Sequence, residues 1–142
     1  MLELPSLPDD YLRFLETHDG SKSFTFDERN SWWLFTKDDL LEAVKIDRRK
    51  TVAISQLRCF TESLKDLGAD ALEDQDENPF ALDRLSNGLA IGINNGDVLF
   101  LDPSDDFSVW VYYLDGSDVE RLADSFSDWL LASAFDDDDN NE

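Results

Sequence analysis

Between Leu89 and Leu114, three short apolar runs alternate with two turn signals, and no other stretch restricts the fold so tightly. Asn95-Gly96 divides the first two runs. Both residues tolerate positive φ, so the dipeptide suits a tight two-residue hairpin. Asp102-Pro103-Ser104-Asp105-Asp106 marks the second turn. Proline fixes one φ there, and aspartate side chains can bond nearby backbone N–H groups. The run from Phe107 to Leu114 then alternates two faces, with Phe107, Val109, Val111 and Tyr113 on one and Ser108, Trp110, Tyr112 and Leu114 on the other. The expectation is a three-stranded antiparallel meander.

A helix is predicted to close it. Ser117-Asp118-Val119-Glu120 has the spacing of a capping box, in which the Ser and Glu side chains satisfy orphaned backbone N–H groups. Val119, Leu122, Ala123, Phe126, Trp129 and Leu130 recur at helical spacing and share one face. That face would cover the sheet.

At the other end, Pro8 suits the first turn of a helix and Asp9 and Asp10 suit its positive pole. Tyr11, Leu12 and Leu15 form its buried stripe, and Gly20 can end it in the left-handed region. Phe24–Phe26 and Ser31–Phe35 read as short strands, Asp38–Val44 as a helix, and Thr51–Asp66 as apolar on a helical period. Leu72 to Pro79 is polar and acidic and reads as a loop. Residues 136–142, DDDDNNE, have nothing to bury and read as a solvated, disordered tail beyond a single domain of residues 1–135.

At 142 residues and 42% hydrophobic, the chain can bury one ordinary core. No basic segment precedes an apolar stretch at the N-terminus, so no secretory signal is expected and the cytoplasm is the default. The net charge of −21 is lopsided. Residues 1–70 carry 14 acids and 10 bases, whereas residues 71–142 carry 19 acids and only Arg84 and Arg121. Such a surface repels nucleic acid and anionic membrane and attracts basic partners; acidity also serves solubility alone. The one cluster of bases, Lys45, Arg48, Arg49 and Lys50, reads as a solvated helix end or an anion-binding patch.

Catalytic chemistry finds little to work with. His18 is the one histidine and Cys59 the one cysteine. Their spacing supports no nucleophile–base pair, and two such residues fall short of the usual zinc sets. Gly92 to Gly96 leads into a strand, whereas a phosphate cradle needs a helix N-terminus. No enzyme, metal or cofactor is expected. Cys59 reads as a small buried hydrophobe, and His18 as a helix-end residue.

Three segments resemble the SUKH superfamily, which includes the Smi/Knr cell-wall assembly regulators and many bacterial immunity proteins. Leu7–Leu15, closing at His18-Asp19-Gly20, is similar to the family's first helix and turn. Leu89-Ala90-Ile91-Gly92 followed by Gly96–Asp102 is similar to its central hairpin. Val109-Trp110-Val111, Asp115 and the helix from Ser125 to Leu130 are similar to its end. The order and spacing of the three carry the resemblance, which thins between about Thr36 and Asp83. One departure is Asp19-Gly20-Ser21, where the family usually has a glycine-rich Asn-Gly turn.

The resemblance implies an α+β domain in which an antiparallel sheet packs against helices and a C-terminal helix caps the sheet. It also implies a protein-binding role, foremost an immunity protein that neutralises a toxin of a contact-dependent or polymorphic toxin system by binding and occluding it. The alternative is a regulatory scaffold of the cell-wall-regulator type. The charge points to a basic toxin domain, such as a nuclease, as the partner. Candidate partner contacts are Asp97, Asp102, Asp105 and Asp106 at the hairpin turns, with Trp110 and Tyr112 if their strand face is open. If the N-terminal segments cover that face, both aromatics are core, and large bare aromatic patches are rare.

Overall fold

The computed structural model describes residues 7–18, 22–26, 30–46, 48–94, 96–114, 118–132 and 134–137. Helix α1 (Asp9–Thr17) follows Pro8 and carries Asp9 and Asp10 in its first turn. Tyr11 and Leu15 are buried, but Leu12 is 38% exposed. The buried face runs through Tyr11, Phe14 and Leu15, and Leu12 falls on its flank, a step of about 100° from Tyr11. Strands β1 (Lys22–Phe26) and β2 (Asn30–Leu34) form an antiparallel hairpin. Trp32 and Trp33 face opposite ways along β2, one fully buried and the other 40% exposed. The turn at Asp19-Gly20-Ser21 lies outside the described residues.

The middle of the chain departs from the helical reading. The helix expected over Asp38–Val44 is one turn, α2 (Lys37–Leu40), closed at its start by a capping box between Thr36 and Asp39. Chain reversal follows through β3 (Ala43–Ile46) and β4 (Arg49–Val52). Val44, Ile46, Thr51 and Val52 are β-branched, and the alternation with Lys45 and Lys50 has the period of a strand. Arg48 sits in the left-handed region at the turn, φ 72°. Residues 53–55 make a 3₁₀ turn that leads into α3 (Gln56–Asp66), so only the last two thirds of the expected Thr51–Asp66 helix is helical.

The expected loop over Leu72–Pro79 holds a small hairpin, β5 (Ala71–Glu73) with β6 (Pro79–Ala81). Its one inward pair, Leu72 opposite Phe80, is buried. The Asp74 carboxylate holds the turn by accepting from the backbone N–H groups of Asp76 and Asn78. Helix α4 (Leu82–Ser86) leads into the meander, β7 (Leu89–Asn94), β8 (Asp97–Asp102) and β9 (Ser108–Tyr113). The three strands and the two-residue 95–96 connection lie where the sequence places them, with Asn94 opposite Asp97.

A fourth strand, β10 (Asp118–Ala123), continues the meander where the sequence predicts the first half of a helix. The edge of β9 offers a row of unpaired backbone groups, and five residues of β10 pair in register with it around a bulge at Leu122. Helix α5 (Phe126–Ala132) starts eight residues beyond the start predicted from Ser117. Its cap is Ser125, whose hydroxyl accepts from the Asp128 N–H and whose carbonyl accepts from the Trp129 N–H. Phe126 and Trp129 remain its buried residues.

Strand β11 (Ala134–Asp137) pairs with β1, Ser23 opposite Asp136 and Lys22 opposite Asp137. The first two residues of the expected 136–142 tail therefore belong to the sheet; residues 138–142 lie outside the described residues. The seven strands run in the order β10-β9-β8-β7-β2-β1-β11, every neighbouring pair antiparallel. The centre of the sheet is dry on both faces, since Val98 to Leu101 and Val109 to Tyr112 are all buried. Phe60 of α3 packs on Tyr112, and Phe80 of β6 on Phe100 and Trp110. Between α1 and α5, Phe126 meets Tyr11 and Phe14, and Trp129 meets Phe24 of β1. The Asp10 carboxylate ties α1 to α5 by accepting from the Ser127 N–H and hydroxyl at 2.8 Å each. The fold is the single α+β domain expected, with its C-terminal helix packed on β9 and β10.

Candidate functional site

The turn between β8 and β9 concentrates the chain's polar chemistry. Asp102 closes β8, and its side chain is 1% exposed. One carboxylate oxygen accepts from Arg84 Nε at 3.1 Å and Nη2 at 2.5 Å. The other accepts from the Ser104 N–H and hydroxyl at 3.0 and 2.7 Å. Arg84 lies over the Phe80 ring, 4.3 Å from its centroid, and near the Trp110 ring. A charged pair is tolerable here because both oxygens of the acid and the flat face of the guanidinium find partners.

A second network adjoins it. Trp110 Nε1–H donates to the Ser108 hydroxyl, which donates to Asp105, both at 2.7 Å. Asp105 also accepts from Arg121 Nε, whose Nη1 donates to Asp124. The Ser108 hydroxyl and the Arg121 guanidinium hold the Asp105 carboxyl below its usual range, against the opposing effect of desolvation. Two successive non-glycine residues, Asp106 (φ 55°) and Phe107 (φ 59°), then occupy the left-handed region. Such residues cost of order 1–3 kcal/mol each and persist only where their surroundings hold them. Here the Phe107 N–H donates back to the Asp102 carbonyl at 2.8 Å.

The six candidate contacts from the sequence do not form one surface. Asp102, Trp110 and Tyr112 are buried, at 0%, 4% and 2% exposure, and have no surface to offer a partner. Asp102 is withdrawn by Arg84, a residue that no local pattern connects to it. The two aromatics are withdrawn by Phe60 of α3 and Phe80 of β6, so the face is covered and both are core, but by the middle of the chain and not by the N-terminal segments. Asp97, Asp105 and Asp106 reach water, half-exposed, half-exposed and exposed. Asp97 lies at the opposite end of β8 from that turn, and the strand between them is roughly 17 Å long at about 3.3 Å per residue. It accepts from the Leu114 N–H, which holds the end of β9. Near it, the Tyr113 hydroxyl donates to Glu120 at 2.6 Å. Burial and the neighbouring acids Glu120, Asp97 and Asp118 push the Tyr113 phenol well above its ordinary range.

The sequence reading missed an open groove of about 1020 Å³. Its walls are the β3–β4 hairpin, the start of α3, the end of α4 and the β8–β9 turn, with Val52, Ile54, Leu89 and Phe107 among its apolar lining. The basic cluster is the signal that could have found it, but that cluster belongs to a hairpin and not to a helix end.

His18 and Cys59 take structural places. The His18 ring stacks on Phe14, and its Nε2 lies 2.7 Å from the Leu34 carbonyl oxygen. Cys59 is buried, which pushes its thiol up despite Arg49 and Arg58 nearby. Among the described residues, no helix is long and apolar enough to cross a membrane.

A seven-stranded antiparallel sheet packed against short helices, with Asp102 and Asp105 of one turn held in internal networks, defines a single α+β domain. The family model described as the SMI1 / KNR4 family (SUKH-1) matches residues 4–132, and the chain belongs to that family. The match spans the 36–83 region, where the sequence resemblance thins. No curated protein and no solved structure matches the chain.

Proposed function

We propose that this chain is a protein-binding module that serves as an immunity protein, neutralising a toxin by direct binding and occlusion of its active site. Family membership over residues 4–132 is the observation that carries the reading. The charge supplies the mechanism. Of the 19 acids in residues 71–142, Asp76, Glu77, Asp106, Asp118, Asp124 and Asp128 are among those exposed. A field of that sign draws in a basic domain, such as that of a nuclease, and raises the rate of encounter. Arg84 and Arg121, the only bases of that half, are both engaged by carboxylates and leave the acidic field unbroken.

An immunity protein should have a toxin gene as its immediate neighbour, and the test is co-expression with the product of such a gene, followed by purification. Rescue of growth and a stable complex of the two are the expected results. A toxin that kills regardless of this chain, with no complex at micromolar concentrations, would overturn the proposal.

A further inference from the structure

The groove beside the β3–β4 hairpin breaks the electrostatic rule of the rest of the molecule. Acids outnumber bases 33 to 12 in this chain, yet among the described residues no Asp or Glu lines the groove, whereas Lys50 and Arg58 do. The register of the hairpin sets Lys45 directly opposite Lys50, on the face that Ala43 and Val52 share. Like charges directly opposite one another destabilise a strand pair. A carboxylate at either position would relieve that repulsion, and no acid among the described residues pairs with either lysine. Lys45, Lys50 and Arg58 are exposed and make no ion pair among the described residues. Arg49, Lys65, Arg84 and Arg121 are all ion-paired. On the facing wall, the strained Asp106-Phe107 turn holds an aromatic side chain, half-buried, at the groove.

We infer that this groove docks an acidic segment of a partner protein, its carboxylates meeting Lys45, Lys50 and Arg58 and a bulky apolar side chain seated against Phe107, Val52 and Leu89. Charge complementarity selects this occupant. A long polyanion such as nucleic acid would meet repulsion from the net −21 of the molecule beyond the groove, whereas a short segment meets only the local positive field. A volume of about 1020 Å³ accommodates several side chains, the upper end of what small ligands fill. This site differs in sign from the acidic surface proposed to meet a toxin and borders it at the β8–β9 turn, where Asp106 faces water beside Phe107, so the domain would hold two partners of opposite charge.

The experiment pans the immobilised full chain against a random peptide library displayed on phage. The enriched peptides are then synthesised with a fluorescent label and titrated by anisotropy. Wild type should enrich peptides in which acids flank a bulky apolar residue, with binding that weakens as salt rises. Lys50→Glu with Arg58→Glu should weaken that binding by about tenfold or more while a thermal melt shows the fold intact. Should charge reversal unfold the chain, Lys50→Gln with Arg58→Gln carries the same expectation. An enriched set without acids, or binding within about twofold of wild type in the variants, would overturn the inference. So would self-association of the chain that these substitutions abolish, since a second copy would then fill the groove. Toxin binding should be unchanged in the same variants, which separates failure here from failure of the proposed function.

Discussion

Arg84 on α4 and Asp102 at the end of β8, 18 residues apart in sequence, close a charge pair whose acid is sealed from water while the base is a third exposed. The pair fastens α4 to the central hairpin and converts a turn aspartate into part of the core. It also sets the cost of disturbing that turn.

Arg84→Met keeps the packing on Phe80 and Trp110 but strands the Asp102 carboxylate. The expected loss is roughly 3 kcal/mol, the low end for breaking a buried pair, because Ser104 still bonds the acid. Urea melts check it, and a loss below about 1 kcal/mol would place the pair with ordinary surface bridges. Asp102→Asn should cost less, since a neutral amide oxygen keeps a Ser104 bond and leaves no charge buried.

Asp105 should make stability depend on acid in one direction. Its folded carboxyl lies below the ordinary 3.8, chiefly through Ser108. The stabilisation it provides is therefore complete above that value and is lost as pH falls below it, through the lowered folded value. In denaturant melts, the gap between wild type and Asp105→Asn should stay constant from neutral pH down to about 5 and shrink below 3.8. A gap that widens on acidification would reverse the sign of this argument.

Gly92 is a close-approach position on β7. A Cβ there would sit 2.6 Å from Leu34 Cδ2 and 2.9 Å from the Trp33 carbonyl oxygen. The oxygen belongs to the paired strand β2 and cannot swing aside. Gly92→Ala should cost about 2 kcal/mol, as overpacking of a filled interior does. Thermal melts would detect this, and an unchanged midpoint would mean that the β2–β7 seam is looser than its register implies.

For the proposed toxin interface, Asp97→Asn with Asp106→Asn removes two charges that reach water. The amide oxygen introduced at position 97 can still accept from the Leu114 N–H, and asparagine tolerates the left-handed backbone at position 106. Stopped-flow mixing with the purified toxin should show slower association and little change in dissociation. The difference should fade as salt rises. An equal association rate at low salt would remove these two acids from the docking surface.

Much of this fold is legible locally. The runs of β7 to β9, the 95–96 turn, the Pro103 turn and the buried face of α1 follow from alternation, proline, glycine and helical spacing within a few residues. Residues 118–123 and 43–46 are a different case. Val119 and Leu122 fit a helical stripe, and Val44 fits one with Leu40 and Leu41, until a neighbouring strand offers a ladder of unpaired N–H and C=O groups. Backbone pairing then outweighs a modest helical preference.

The candidate site divides in the same way. The acidity of the second half, its want of His and Cys and the turn-forming character of Asp106 are properties of the chain as written. Which candidate contacts stay at the surface was decided in three dimensions, by Arg84 reaching Asp102, and by Phe60 and Phe80 covering Tyr112 and Trp110. The groove likewise exists only where four distant segments meet around Lys50 and Arg58. A sequence states the charge and size of each side chain, but burial depends on what arrives from elsewhere in the chain, and those contacts span separations that no local period records.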